Sequence, residues 1–273
     1  MTNGTPTPRP LNRDTVVLPW VWTYLHKIDP NSLEEVEKAR GTCNGGKRYG
    51  RAVTLAETYA ACVEHPAQRL FWAMTASESL ITLGCDVANA FAEAPPPKEP
   101  FCMEVDDQFR DWWVNCMNRP PIPKGYVMPI QRALQEHPES PQLWHQHIHN
   151  ILTKDEGFEC CTHEPCLCFK RDDNEPTPED KYHKVYIKRT ANDGFDDFAI
   201  SGSTKEECDK VQQIIQKQMA NKLHDLGIIK RFNGIDIHQT RDYLKMSCEL
   251  YIDKIVTHHG WENKKAADRL IPM

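Results

Sequence analysis

The chain has 273 residues, 40% of them hydrophobic, and a formal net charge of −6; this apolar content suffices for the core of one large domain or two small ones. No apolar run approaches the ~20 residues of a membrane span, and the polar start Met1–Asp14 contains no signal-peptide core. These features exclude a membrane partner and secretion, so we expect an intracellular protein, cytoplasmic or nuclear, whose 11 cysteines are reduced thiols rather than a disulfide framework.

The negative net charge argues mildly against nucleic-acid binding, because domains that bind nucleic acids are usually basic. The distribution of charge matters more than its sum. Basic residues cluster within 38–51, and an acidic segment at 172–180 offsets much of their charge. A basic face and an acidic loop can therefore coexist on one molecule.

Helical and strand-like segments alternate along the chain. Residues 1–18 have the composition of a flexible lead, and Trp20–Ile28 that of a strand or another buried segment. Ser32–Ala39 has that of a short capped helix or a polar hairpin arm. Apolar residues at helical spacing predict a helix over 68–83, and a strand that carries Asp86 follows at once. The later predicted elements are a helix over 142–153, strands over 166–170 and 185–187, a helix over 204–226, hairpin strands over 232–237 and 243–248, and a helix over 251–259.

This order of elements predicts the fold class. Antiparallel hairpins mixed with covering helices are typical of an α+β protein whose sheet has its helices on one face. A ferredoxin-like β-α-β-β-α-β core is compatible with the order.

Three acids stand within apolar segments of the chain. Asp196 and Asp197 lie between Phe195 and Phe198, and Asp86 lies in a separate apolar segment upstream. Ionised carboxylates that are crowded together repel each other, so such a cluster usually holds a cation. Two Mg²⁺ ions held by aspartates serve phosphoryl transfer at a nucleic-acid 3′ end, which makes the chain a candidate polymerase.

Several motifs follow one another along the chain. They are Asp86–Phe91, Ser140–Trp144, Phe195–Phe198, Leu226–Gly227 and Phe232–Ile237, with Lys38–Arg40 and Glu57–Ala60 upstream. In order and spacing these motifs resemble those of the Ty1/copia retrotransposon reverse transcriptases. The resemblance covers roughly residues 20–272, almost the whole length of the chain.

The resemblance implies the fingers and palm of a right-hand polymerase, with a ferredoxin-like antiparallel palm sheet. It also implies a division of the chain into subdomains. The expected limits are a flexible lead at 1–18, fingers at 19–84, palm at 85–104, fingers again at 105–140, palm again at 141–250, and the start of a truncated thumb or connection at 251–273.

The resemblance also implies roles for individual residues. Asp86, Asp196 and Asp197 match the catalytic aspartates that hold two Mg²⁺ or Mn²⁺ ions. Four further positions match residues near the incoming nucleotide, Phe91 being the ring that rejects a 2′-hydroxyl; they are Lys38, Arg40, Phe91 and Gln135. The hairpin with Phe232 and Gly234 matches the primer grip.

The implied activity is that of an RNA-directed DNA polymerase. Its partners would be dNTPs and an RNA or DNA template with its primer, and the Pol and Gag products of the same element are further candidates. Contacts to the template–primer would be made mainly to its backbone, because a polymerase must accept any sequence.

A second cluster of residues suggests a different chemistry. Cysteines and a histidine crowd residues 160–168, and zinc takes such ligands at short spacings. The members of the cluster are Cys160, Cys161, His163, Cys166 and Cys168. No second ligand pair stands at a distance, and the alternation from Cys166 to Phe169 also suits a strand with small buried thiols. A zinc-stabilised interaction domain is therefore one alternative.

Some features depart from the family pattern and bear on activity. Residues 190–194 resemble an insertion that displaces the aspartate pair or lengthens its loop, and Glu136 stands where the family commonly has glycine. Because the sequence stops at Met273, we also expect no thumb of useful size. The alternatives are a working polymerase core and a decayed element copy that acts at most as a nucleic-acid-binding module.

Overall fold

The computed structural model describes residues 7–28, 35–45, 54–61, 63–170, 186–189, 197–232, 234–240 and 242–261. The strands are β1 (Arg9–Pro10), β2 (Val16–Leu18), β3 (Trp20–Ile28), β4 (Glu35–Cys43), β5 (Ile81–Val87), β6 (Phe101–Glu104), β7 (Tyr126–Pro129), β8 (Glu159–Cys160), β9 (Leu167–Phe169), β10 (Tyr186–Arg189), β11 (Asp197–Gly202), β12 (Leu223–Ile228), β13 (Arg231–Phe232), β14 (Ile235–Gln239) and β15 (Leu244–Ser247). The helices are α1 (Leu55–Thr58), α2 (His65–Ser77), α3 (Asp107–Asn115), α4 (Ser140–Asn150), α5 (Lys205–Gln218) and α6 (Glu249–His258), with a 3-10 turn at Ala90–Glu93 and a π-helical turn at Ile151–Asp155.

The chain divides into two compact units. Unit 1 comprises 1–61, 89–155 and 219–221, and unit 2 comprises 62–88, 156–218 and 222–273. These limits cut across the expected subdomains, because part of the predicted first fingers segment falls in unit 2 and part of the predicted second palm segment falls in unit 1. The division into fingers and palm therefore stays a prediction.

Unit 1 contains a four-stranded sheet in the order β1-β7-β6-β2, in which β2 and β6 are parallel. Its apolar side chains form one core with the amphipathic helix α3. The Asp106 carboxylate caps α3 by accepting the Phe109 N–H at 2.7 Å. The buried members of this core include Leu18, Phe101, Met103, Trp113 and Met128.

Strands β3 and β4 form a two-stranded antiparallel ribbon in unit 1. The register runs from Trp20 opposite Cys43 to Ile28 opposite Glu35. Gly41 lets the indoles of Trp20 and Trp22 lie over the neighbouring strand, because an added Cβ would stand 3.0 Å from Trp22. The hairpin-arm alternative is therefore confirmed for the described part of Ser32–Ala39, from residue 35 onward.

Unit 2 contains a six-stranded sheet in the order β12-β5-β11-β10-β9-β8, with every neighbouring pair antiparallel. The central strand β5 is buried along most of its length, as the apolar residues before Asp86 predict. The helix predicted over 204–226 is shorter in the structure. It ends at Gln218, because Leu223–Ile228 pairs with β5 as a strand instead.

Helices cover both faces of this sheet, so the expectation of helices on one face is wrong. Ser201 of β11 shares a face with Thr82 of β5, and its hydroxyl lies 3.1 Å from that of Thr75 in α2. Gly202 faces the opposite way, and an added Cβ there would stand 2.9 Å from Cys208 Sγ in α5. Side chains alternate between faces along a strand, so α2 and α5 pack on opposite sides.

A three-stranded antiparallel sheet, β13-β14-β15, completes unit 2 together with α6. The Gln239 side chain joins this sheet to the start of β5. Its amide oxygen accepts the Thr82 N–H at 3.2 Å, and its amide nitrogen donates to the Leu80 carbonyl. None of the helices in the described part of the chain has the length and apolar character that a membrane crossing needs.

Candidate active site

Two of the three predicted catalytic acids lie face to face in the six-stranded sheet. Asp86 stands near the end of β5, Asp197 begins β11, and the antiparallel register pairs them directly. Side chains of directly opposed residues project from the same face, with Cβ atoms about 4.5–5.5 Å apart. The two carboxylates therefore adjoin across the strands, although more than a hundred residues separate them in sequence.

Burial and mutual repulsion act on this pair. The pKa of the Asp197 carboxyl is raised from 3.8, first because burial disfavours the charged form and second because Asp86 is a like charge nearby. Like charges directly opposite each other destabilise a sheet. The arrangement favours a bound cation, which would offset both effects.

The donor set fits Mg²⁺ or Mn²⁺. Both ions prefer carboxylate oxygens, and Mg²⁺ is usually held by one or two carboxylates together with water and substrate phosphates. Asp86 and Asp197 supply such oxygens at the half-buried end of the strand pair. Within the described residues no group of three His, Cys, Asp or Glu side chains could hold a metal, and Asp196 lies outside that part of the chain.

The polar residues 190–194 that precede the aspartate pair also lie outside the described residues. On either side of this segment, Arg189 of β10 pairs with Phe198, and Asp197 pairs with Asp86. That residues 190–194 are an insertion stays a prediction.

A histidine that sequence reasoning missed lies beside the carboxylates. His224 of β12 pairs with Asp86 from the side opposite Asp197. The three residues form a row across three strands, on one face of the sheet. Only the strand register identifies His224, because no motif in the sequence singles it out.

Phe91 lies in unit 1, in the middle of the 3-10 turn Ala90–Glu93, and its ring is half-buried. The turn begins at Asn89, whose φ of 51° lies in the left-handed region that asparagine tolerates. The Ala94 N–H donates to the Phe91 carbonyl at 3.1 Å and closes the turn. The local backbone therefore holds Phe91 in one place.

Backbone hydrogen bonds connect the elements that carry the other predicted nucleotide-binding residues. The Cys43 N–H, at the end of β4, donates to the Gln135 carbonyl at 3.2 Å, and the Ala133 N–H donates to the Ala94 carbonyl at 3.3 Å. The loop with Gln135 is thus bonded to β4 on one side and to the segment that follows the Phe91 turn on the other. Arg40 lies on β4 opposite Thr23.

Lys38 occupies β4 two residues before Arg40, opposite Leu25. Positions two apart in a strand share a face, so the register places both basic positions on one face of the ribbon. The side chain of Lys38 lies outside the described part of the chain, and its nucleotide role stays a prediction.

Glu136 has a backbone conformation that favours glycine, the residue that the family resemblance predicts at this position. Its φ is 68°, in the left-handed region that costs an ordinary L-residue free energy. The Glu136 carbonyl also approaches Gly45, where an added Cβ would stand 2.3 Å from that oxygen. This close approach requires glycine at position 45, whereas the positive φ is what would favour glycine at position 136 itself.

The predicted primer-grip residues have different surroundings. Phe232 is 4% exposed and packs in the core of unit 2, with its ring 6.3 Å from that of Trp72. Gly234 is exposed, with a φ of 75°, in the turn between β13 and β14. Any contribution of Phe232 to primer binding would therefore come from shaping the hairpin, whereas the Gly234 backbone is accessible.

The cysteine cluster differs from the expectation of reduced thiols. Cys160 of β8 and Cys168 of β9 pair across the strands and form a disulfide. The disulfide removes two of the thiolates that a zinc site would need, while Cys166 is buried and Cys161 is half-buried. The pKa of the Cys161 thiol is raised by burial and by Glu164.

Comparison with known proteins identifies a family and a relative. The model of a family described as reverse transcriptase (RNA-dependent DNA polymerase) matches residues 8–273. A Saccharomyces cerevisiae protein named for the transposon Ty5-1 is 30% identical over 132 residues, which make up 47% of this chain and 37% of the yeast protein. The matched region thus spans little more than a third of that relative.

Proposed function

Because this chain belongs to the Ty1/copia-type reverse transcriptases of retrotransposons, we propose that it catalyses RNA-directed DNA synthesis by transferring a nucleotide from a dNTP to a primer 3′-hydroxyl. The observation that carries this proposal is the register of β5 and β11, which sets Asp86 opposite Asp197. Two carboxylates from sequence-distant motifs meet at one end of a strand pair, where a polymerase needs them.

Asp86, Asp196 and Asp197 would hold two Mg²⁺ or Mn²⁺ ions, which when bound lower the pKa of the primer hydroxyl and neutralise the departing pyrophosphate. Asp86 and Asp197 contribute oxygen ligands at the half-buried end of two paired strands. Positions on a strand are more precise than positions on a loop, which suits a reaction that loses orders of magnitude in rate for a displacement of about 1 Å.

The strand order supports the assignment of unit 2 to the palm. The order β12-β5-β11-β10 is that of a ferredoxin-like β-α-β-β-α-β sheet, in which the first and third strands are central. Here β5 is the first strand and β11 the third, so the two aspartate positions fall on the central pair. The palm in this proposal has helices on both faces.

Unit 1 would bind the incoming nucleotide. Arg40 offers a guanidinium that matches phosphate oxygens, Phe91 would exclude a 2′-hydroxyl, and Gln135 lies on the loop that is hydrogen-bonded to β4. Template and primer would be held through their backbones, with Gly234 at the primer end.

Primer extension on an RNA template with Mg²⁺ or Mn²⁺ tests the proposal. Incorporation of dNTPs that requires the metal, and that the Asp196→Asn/Asp197→Asn variant loses, is the expected result. Folded protein that binds template–primer but extends nothing would refute the enzyme and leave the nucleic-acid-binding module. The Glu136 carboxylate, which would repel a triphosphate near Gln135, favours that alternative. The yeast relative is much longer than the region that it shares with this chain. The partners of this chain and the full activity of the element are therefore part of this proposal.

A further inference from the structure

Glu93 is a buried acid in unit 1. It is 5% exposed and is the last residue of the 3-10 turn that carries Phe91. A buried charge is costly unless hydrogen bonds compensate it. The hydrogen bonds of the Glu93 carboxylate therefore show which part of the fold it stabilises.

Both oxygens of the Glu93 carboxylate accept backbone N–H groups from the same short segment. Oε2 accepts the Ala220 N–H at 2.9 Å, and Oε1 accepts the Asn221 N–H at 2.5 Å. These residues follow α5 in the chain and precede β12. Hydrogen bonds to an ionised carboxylate are about twice as strong as neutral ones, so Glu93 anchors its turn to this segment.

The main chain of Glu93 is held as well. Its carbonyl accepts a hydrogen bond from Arg132 Nη1 at 3.1 Å. The turn is thus fixed at its start by the left-handed Asn89, and at its end by both the side chain and the carbonyl of Glu93. Phe91 lies between these fixed points.

We propose that Glu93 is a positioning residue for sugar discrimination, because its buried carboxylate fixes the turn that holds the Phe91 ring. This inference rests on the proposed function, in which Phe91 rejects a 2′-hydroxyl. A ring can reject a 2′-hydroxyl by steric exclusion only if its position is fixed. If the anchor is loosened, ribonucleotides are accepted more readily while dNTP incorporation changes little.

The test is Glu93→Gln, which keeps the shape of the side chain but turns one acceptor oxygen into an NH₂ group facing a backbone N–H. We expect the ratio of kcat/KM for dNTP over the matching ribonucleotide to fall about tenfold, the size of effect that follows the loss of a hydrogen bond to a charged group. The change should reside in the ribonucleotide KM, with kcat for dNTP altered much less. Glu93→Asp, which keeps both acceptor oxygens, should recover part of the ratio.

Glu164→Gln is the matched control. The Glu164 carboxylate is also buried, at 9% exposed, and also accepts two backbone N–H groups, those of Glu64 at 2.9 Å and Cys166 at 3.1 Å. Its loss should lower stability without changing the nucleotide ratio. An equal fall in both variants would overturn the proposal, because a general structural effect would then explain it.

A double-mutant cycle with Phe91→Ala makes the test specific. If Glu93 acts through Phe91, Glu93→Gln changes the nucleotide ratio in the wild-type background and adds nothing when Phe91 is already alanine. Additive effects of the two substitutions would overturn the proposal.

Hydrogen exchange separates this inference from the proposed function. The amides of Ala220 and Asn221 should be protected in the wild type without any nucleotide, and Glu93→Gln should expose them. Exposed amides with an unchanged nucleotide ratio would overturn the positioning role alone. A wild-type protein that extends no primer would overturn the polymerase function, and the discrimination role with it, while the exchange data would still report the anchor.

Discussion

At the scale of single residues, the pairing of Asp86 with Asp197 has a consequence for stability. A carboxyl group whose pKa is raised on folding makes the folded state less stable above that raised pKa, and its effect vanishes below the unfolded value. For Asp197 the penalty therefore sets in as the pH rises through 3.8 and is complete above the raised folded pKa. A bound divalent cation would cancel it.

Asp197→Asn should accordingly be more stable than the wild type at pH 7 in the presence of a chelator. The difference in Tm should shrink as the pH is lowered towards 3.8. Added Mg²⁺ should raise the wild-type stability, by about 2.7 kcal/mol at a hundred times its Kd, and raise the variant less. Thermal unfolding across pH and metal concentration measures both effects, and a wild type that exceeds the variant in chelator would contradict the interpretation.

Glu136 stores backbone strain that a single substitution relieves. Because its φ is 68°, Glu136→Gly should stabilise the protein by about 0.5–1 kcal/mol, the cost of a left-handed L-residue less the greater entropy of unfolded glycine. Urea unfolding gives this number. Glu136→Ala removes the charge but keeps the strain, so a gain as large as that of glycine would assign the effect to charge instead.

At the scale of elements, one side chain joins two sheets of unit 2. Gln239 belongs to β14, yet its amide hydrogen-bonds with the backbone of Leu80 and Thr82 at the start of β5. The amide thereby forms hydrogen bonds with these two residues of the kind that a neighbouring strand would form. This contact connects the hairpin with Gly234 to the strand that carries Asp86.

Gln239→Leu should therefore cost about 1–3 kcal/mol, because it leaves partly buried backbone groups without their partners. Hydrogen exchange should accelerate at Thr82 and along β13–β15. Gln213→Leu, at an exposed position of α5, is the control for the change in side-chain type. Unchanged protection of Thr82 would show that the Gln239 contact is not maintained in solution.

The disulfide between β8 and β9 is a second connection at this scale. The two cysteines are separated by 8 residues in sequence, and closing so short a loop stabilises a fold by about 2–3 kcal/mol in the chain-entropy estimate. A reductant should lower the stability of the wild type by up to that amount and leave a Cys160→Ser/Cys168→Ser variant unchanged. Equal responses of both proteins would mean that the thiols are reduced in solution.

At the scale of the whole molecule, the proposed binding functions belong to separate compact units. Arg40, Phe91 and Gln135 lie in unit 1, whereas Asp86 and Asp197 lie in unit 2. Metal binding and nucleotide binding should therefore respond to different substitutions.

Arg40→Ala should weaken the binding of a fluorescent dNTP roughly tenfold, since a charged hydrogen bond to phosphate contributes about 1.5–3 kcal/mol. It should leave the rise in Tm on addition of Mn²⁺ intact. Asp86→Asn should abolish that rise in Tm. Loss of the metal response in the Arg40 variant would show that the two functions are not separable.

The sequence by itself determined the family and the residues that carry its motifs. It also predicted local elements, namely the strand that carries Asp86 and the first part of helix α5. It left Ser32–Ala39 open between a helix and a hairpin arm. These features depend on residues that are close together in the sequence. The spacing of their apolar members shows the period of a helix or a strand and where turns occur. The family match over residues 8–273 confirms the resemblance that the motifs indicate.

The resemblance implied that Asp86 and Asp197 share one site, but only the tertiary structure decided the strand register and the other contacts between distant residues. The register that opposes Asp86 to Asp197, the burial of Phe232, the bonding of Cys160 to Cys168 and the anchoring of Ala220 by Glu93 all join positions that are separated along the chain. Helix α2 lies on one face of the sheet and α5 on the other for the same reason. A strand's own pattern says which residues share a face but not which strand lies beside it. A register shift of one residue would turn every side chain of the strand to the other face of the sheet.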